Sequence, residues 1–402
     1  MERKRAMGNE MNARGATVDR STDFSRNNLD CLRLILASTV ALFHIYALST
    51  LPAFSAFGKY LSPHFAVRGF FVISGMLIYR SYTRSSSIRS YFEKRVRRIW
   101  PAYFTVVVLA GVGLCFLSSL TVSRFFGVGF WKYLVANLLF LNFIAPSLPG
   151  VFVSHTFSAV NGALWTLKIE VAFYISVPAI HYLCHRFGAK RVISVLFVLS
   201  CLWKYGFALL TSLYTSRSLF IMDKSRSIFE QFETQFPAQL AYFCAGILLL
   251  LYFDKLRSHF LVISAITAIL YLLDHALGHE VLDIFWISGI VLVFGFWRYL
   301  GNFSKYGDFS YGVYIVHWPV LQILIDCGIA RLHPAMFLFL SVCSIGTTAF
   351  LLWHLVEKRF LATSSHYCQR SVKESGLPMN TPRVLFISPD GGLSRSTTGR
   401  NE

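Results

Sequence analysis

The sequence predicts an all-α integral membrane protein of about ten transmembrane helices plus one re-entrant or surface segment, on three observations. Of 402 residues, 55% are hydrophobic and only 14% charged, a balance that a soluble domain of this length seldom shows. Apolar runs of roughly 17 to 25 residues, each long enough to cross about 30 Å of hydrocarbon as a helix, recur from Leu32 almost to Phe360. The formal charge of +18 lies mostly between these runs. That placement points to loop topology and anionic lipid, not to nucleic acid.

Taken in order, residues 1–28 mix charge with Asn, Ser and Thr and hold no apolar core ahead of a small-residue cleavage site, so they read as a polar cytoplasmic tail. Residues 29–360 form the membrane domain. Its apolar runs are roughly 32–51, 63–80, 100–118, 132–147, 162–183, 191–210, 235–253, 259–275, 281–297, 309–328 and 335–357. If all of them crossed from a cytoplasmic N-terminus, the basic connections Arg186–Arg191, Lys255–Arg257 and Arg298–Lys305 would fall outside, against the positive-inside rule. The run 132–147 is short, interrupted by Asn137 and Asn142, and leads into Pro146 and Pro149. Excluding it as a crossing puts every later basic connection, and both termini, in the cytoplasm. The strongest basic cluster, Arg80 to Arg98, is cytoplasmic in either case. Residues 361–402, rich in Ser, Thr, Arg, Gly and Pro, read as a disordered cytoplasmic tail. The eight cysteines are scattered with no Cys-x-x-Cys pair, so neither a zinc site nor a disulfide framework is indicated, and no metal is expected.

Ionisable groups inside the runs are the functional signal, since each costs about 2.5–3.5 kcal/mol on insertion scales. Asp30, Arg33, Ala37, Ala41 and His44 fall on one helical face. Glu170 lies one turn from both Thr166 and Tyr174, and Ser310, Tyr314 and His317 form a third stripe. Pro319 releases the carbonyl of Ile315, which suggests a polar cavity nearby. Counting about 1.5 Å per residue from the cytoplasmic edge puts His44 and Glu170 at about 18 Å and His317 at about 12 Å. One shared level suits a proton-transfer site.

In this order, the motifs resemble the acyltransferase-3 family of bacterial membrane enzymes, over about residues 27–360. They run Leu29-Asp30-Cys31-Leu32-Arg33 with Phe43-His44, then Gly69-Phe70-Phe71-Val72-Ile73-Ser74-Gly75, then Arg95-Val96-Arg97-Arg98-Ile99-Trp100-Pro101. Trp165-Thr166-Leu167 with Glu170, Ser310-Tyr311 with His317-Trp318-Pro319, and Val356-Glu357-Lys358 follow. The resemblance implies an essential His44 and an Arg95 and Arg98 pair serving the acyl-CoA end. Guanidinium forks suit the phosphates of coenzyme A at the cytoplasmic face. Two departures stand out: Arg68-Gly69 stands before Phe70-Phe71, where the family often carries an acidic residue, and Arg359 stands where proline often follows.

The implied reaction moves an acyl group, acetyl first, from acetyl-CoA or another acyl-CoA to a hydroxyl of a surface or secreted carbohydrate, at the bacterial inner membrane. His44 is the expected general base, with Glu170 orienting an imidazole and His317 as second base or oxyanion donor; an acyl-histidine route is the alternative. Arg33, Arg68, Tyr174, Ser310 and Tyr314 are the expected substrate contacts. Partners are the acyl-CoA, a carbohydrate or lipid-linked glycan and membrane lipids, with glycan-assembly proteins or further copies of the chain as additional classes. A transporter or flippase of lipid-linked sugars is the rival class, and a non-catalytic scaffold the third.

Overall fold

The computed structural model describes residues 24, 26–217, 232–278, 280–305 and 307–361. The two expected tails lie outside these residues almost entirely. Among the described residues there are helices and turns and no strands. The longer helices are α1 (Leu29–Ser49), α2 (Pro63–Thr83), α3 (Ile88–Gly113), α4 (Val128–Leu138), α5 (Trp165–Phe187) and α6 (Ala189–Arg217). They continue with α7 (Phe236–Leu251), α8 (Phe260–Leu277), α9 (Asp283–Phe296), α10 (Ser310–Asp326) and α11 (Pro334–Leu352).

Local chemistry sets the ends. Ser62 caps α2 by accepting from the Phe65 N–H at 3.1 Å, with Pro63 at the first helical position, where its missing N–H costs nothing. Ser87 caps α3 in the same way through the Ser90 N–H. Gly278, in the left-handed region at φ 64°, closes α8. Asp274 then accepts from the Val281 and Leu282 N–H groups and the Trp286 indole, tying the α8–α9 turn shut.

Among the described residues seven helices are long and apolar enough to cross a membrane, or eight if the helices Pro52–Tyr60 and Pro63–Thr83, bent by 41°, make one span. The expected count of about ten is not reached on this measure, for a physical reason. The runs 281–297 and 309–328 include flanking residues outside the helices; α9 has 14 residues and α10 has 17, so they rise only about 21 and 25 Å. The run 132–147 contributes an 11-residue helix, α4, ending at Leu138. No helix follows until Gly162.

The arrangement is layered from lipid inwards. Helix α8 buries little beyond Asp274 and exposes Leu261, Ile266, Ile269 and Leu272, a surface for acyl chains. By contrast α10 is interior, with eleven of its first thirteen residues buried. It packs against α1 and α11, while α2 packs against α7. The α2–α7 crossing is backbone on backbone. A Cβ at Gly75 would collide with the Phe243 carbonyl, and one at Gly246 with that of Val72. Small residues permit such an approach, which gains dispersion where lipid supplies no hydrophobic drive between helices.

Candidate active site

The stripe on α1 faces α10. Ala37 and Ala41 are buried there, and their small side chains let α10 come close enough for side chains of the two helices to bond. His44 Nδ1 and His317 Nε2 are 3.0 Å apart, with ring planes inclined by only 14°. The other nitrogen of His317, Nδ1, faces the Val313 carbonyl at 3.3 Å. A carbonyl accepts only, so His317 carries its proton on Nδ1 and its Nε2 accepts. His44 must then donate through Nδ1, which leaves the lone pair on His44 Nε2. His317 is fully buried and His44 partly exposed. The Trp318 ring sits edge-on to His44 at 4.8 Å.

A cavity among α1, α2, α5 and α10 is lined by Arg33, Ser74, Thr166, Glu170, Ser310 and Tyr314 with Phe70 and Phe71; the Tyr314 ring, 5.9 Å from that of His317, connects it to the pair. The Tyr314 and Thr166 hydroxyls are 2.7 Å apart, and the Tyr174 hydroxyl donates to Glu170 Oε1 at 2.6 Å. Of the expected site residues, Arg33, Glu170, Ser310 and Tyr314 therefore share one cavity, and Tyr174 braces it. Glu170 is not the group that bonds to His44 here; His317 is.

At the cavity's charged end, Asp308 is the hub. Its Oδ2 takes Arg33 Nη1 at 2.5 Å and also pairs with Arg98 Nη2, while Oδ1 accepts from the Ser310 N–H at 3.1 Å and hydroxyl at 2.5 Å. Arg98 Nη1 reaches Glu357 Oε2 at 3.2 Å. Burial pushes the Asp308 carboxyl up, but the Arg33 and Arg98 guanidinium groups and the Ser310 donors outweigh it and hold it below the usual carboxylate range. Glu357 sits on a π-turn, Trp353–Glu357, that ends the last long helix.

The Arg95 and Arg98 pair is thus split. Arg98 is held by two buried carboxylates. Arg95 donates to Ser81 Oγ at 3.1 Å, lies 5.8 Å from the Tyr174 ring, and has no carboxylate partner among the described residues; its buried Nε has no hydrogen bond. Arg68 is not at this cavity. It pairs with Asp283 Oδ2 at 2.7 Å and with Glu280, in a separate network where Lys204 Nζ meets Asp283 Oδ1 at 2.6 Å and Tyr242 joins.

The carbonyl freed by Pro319 does not line a polar cavity either. Asn161 Nδ2 donates to Ile315 O at 2.8 Å and restores the missing bond. Asp308 is the residue of this network that sequence reasoning missed. Asp308 had a signal, an acid two residues ahead of a helix start, in position to cap it.

A bonded histidine pair and a buried charged network inside a bundle of apolar helices suit a membrane-embedded enzyme. A family model described as an acyltransferase domain matches residues 26–354, and the chain belongs to that family, acyltransferase-3. It is 30% identical over 355 residues to an O-acetyl transferase of Shigella phage Sf6, covering 84% of this chain and 97% of the phage protein. It is 27% identical to nodulation protein 10 of Rhizobium leguminosarum bv. viciae, covering 83% and 92% of the two chains. Against the O-acetyltransferase OatA of Staphylococcus aureus, identity is 29% over 190 residues, 43% of this chain and 27% of that protein. No solved structure gives a significant match.

Proposed function

We propose that this protein transfers an acetyl group from acetyl-CoA to a carbohydrate hydroxyl at the bacterial inner membrane, with His44 Nε2 as general base. The observation that carries the reading is the directed chain from His44 through His317 to the Val313 carbonyl, which leaves the lone pair on His44 Nε2. The O-acetyltransferase names of the phage and staphylococcal relatives support acetyl and oxygen as donor group and acceptor atom. In the step itself the acceptor oxygen attacks the thioester carbonyl, its proton passes to His44 Nε2, the C–S bond breaks, and the proton leaves with the thiolate. His317 orients His44 and stabilises the imidazolium by accepting from its Nδ1–H. Arg95, the one of the two without a carboxylate, suits the donor's phosphates, with Arg98 one turn along the same helix.

Ten crossings with both termini in the cytoplasm are part of this reading. What supports them is a constraint from charge pairing: Arg33 at the start of α1, Arg98 in the first half of α3, Asp308 before α10 and Glu357 at the chain's last described turns must share one membrane face. An extra crossing at 132–147 would send Asp308 to the opposite face. With ten, Arg68 at the start of α2 and Asp283 at the start of α9 also share a side, the outer one.

The test is label transfer. Purified protein given acetyl-CoA labelled in the acetyl group, with surface glycan extracted from a strain lacking the gene, is expected to place label on the glycan as an alkali-labile ester. A protein that moves glycan across vesicles yet leaves it unlabelled would be a flippase.

A further inference from the structure

The segment 155–162 lies flush along α10, apart from the cavity and the charged hub. Asn161, buried, donates through Nδ2 to the Ile315 carbonyl and accepts through Oδ1 from the Ala163 N–H at 3.2 Å. One amide therefore ties the proline-broken stretch two residues before His317 to the turn that starts α5, where Thr166 stands. One turn beyond Trp318, Gln322 is almost wholly buried; its Nε2 donates to the Phe157 carbonyl at 2.5 Å and the Ala159 carbonyl at 3.1 Å. Its Oε1 faces His155 Nδ1 at 2.8 Å, and His155 Nε2 reaches Asp326 at 3.2 Å. The Trp318 indole donates to the same Ala159 carbonyl at 3.1 Å, and a Cβ at Gly162 would run into its ring.

We propose that Asn161, on the segment 155–162, and Gln322, on α10, are positioning residues: the bonds they make between these two elements fix α10, and with it Trp318 and His317, against His44, and so set the base on its acceptor. The inference rests on the acyl-transfer reading above. Packing alone does not call for it, because an apolar residue at 322 would fill the space without burying an amide at membrane depth. Each amide donates to a backbone carbonyl of the opposite element, and the bonds fall on the α10 face of Ile315, Trp318 and Gln322, holding the helix from the side turned away from His317. A small misplacement of α10 moves both partners of the His44 ring at once.

The test uses the full-length purified protein with acetyl-CoA as donor and the extracted surface glycan as acceptor. Asn161→Asp is isosteric but turns an oxygen towards the Ile315 carbonyl; Gln322→Leu removes the three bonds of the amide. Expected in both is a fall in kcat of about ten- to a hundredfold, the scale of an ångström's misplacement, with the KM for acetyl-CoA within about twofold of wild type. A purely structural role predicts the opposite pattern, a lowered melting temperature and lost donor binding with kcat per folded molecule unchanged, and that result overturns the proposal. So does wild-type kcat in either variant. A wild-type protein that fails to transfer would count against the acyl-transfer reading itself, whereas active wild type with unaltered variants sinks only the positioning role.

Discussion

Arg95 and Arg98 stand three residues apart on one helix, yet their surroundings give them different work. Arg98 is mostly buried between Asp308 and Glu357, so Arg98→Ala removes the guanidinium from Glu357 and leaves Asp308 to Arg33; breaking a buried pair costs about 3–5 kcal/mol. The expected outcome is a clear drop in melting temperature in detergent. Arg95→Lys keeps the charge and loses the fork, and is expected to weaken acetyl-CoA binding about tenfold at unchanged melting temperature, one charge-assisted bond's worth. Equal effects from the two substitutions would show that the split seen in the structure is not functional. Residue identity made His44, Glu170, His317 and the arginines legible in the sequence, because ionisable groups in apolar runs are costly wherever they fall. Pairing was not legible. Nothing local says that Arg98 meets an aspartate 210 positions away or that Arg68 leaves the cavity for Asp283.

At the scale of elements, periodicity and composition were enough for the helices, and the interrupted run 132–147 ends as the 11-residue α4. They overstated length where a helix is interior. Central α9 and α10 are flanked by apolar loop residues that hydropathy counts as helix, and only tertiary burial separates the two. The Pro319 reading failed for a related reason, since the donor that satisfies Ile315 comes from a loop 154 residues away. Topology is checked at the connections between elements. Reporter fusions after Arg191 and after Arg257 are expected to be cytoplasmic, as ten crossings require. Periplasmic signal at both would refute the shared-face argument built on Arg33, Arg98, Asp308 and Glu357.

Across the whole molecule, the charged hub at Asp308, the cavity and the histidine pair follow one another from the face where α1 begins towards the far end of α10. Such an order lets a donor enter at one face and an acceptor meet it at mid-membrane. It also makes His44 the point on which the account turns, a side chain with a directed hydrogen bond behind it and a lone pair on Nε2. The most direct measurement is the rate of acetyl transfer to glycan by purified His44→Gln protein. Glutamine can still donate to His317 Nε2 but has no basic nitrogen, so the rate is expected to fall by about 10²–10⁴ with melting temperature and acetyl-CoA affinity preserved. Transfer at near wild-type rate by that folded variant would contradict both a base and an acyl-histidine at position 44.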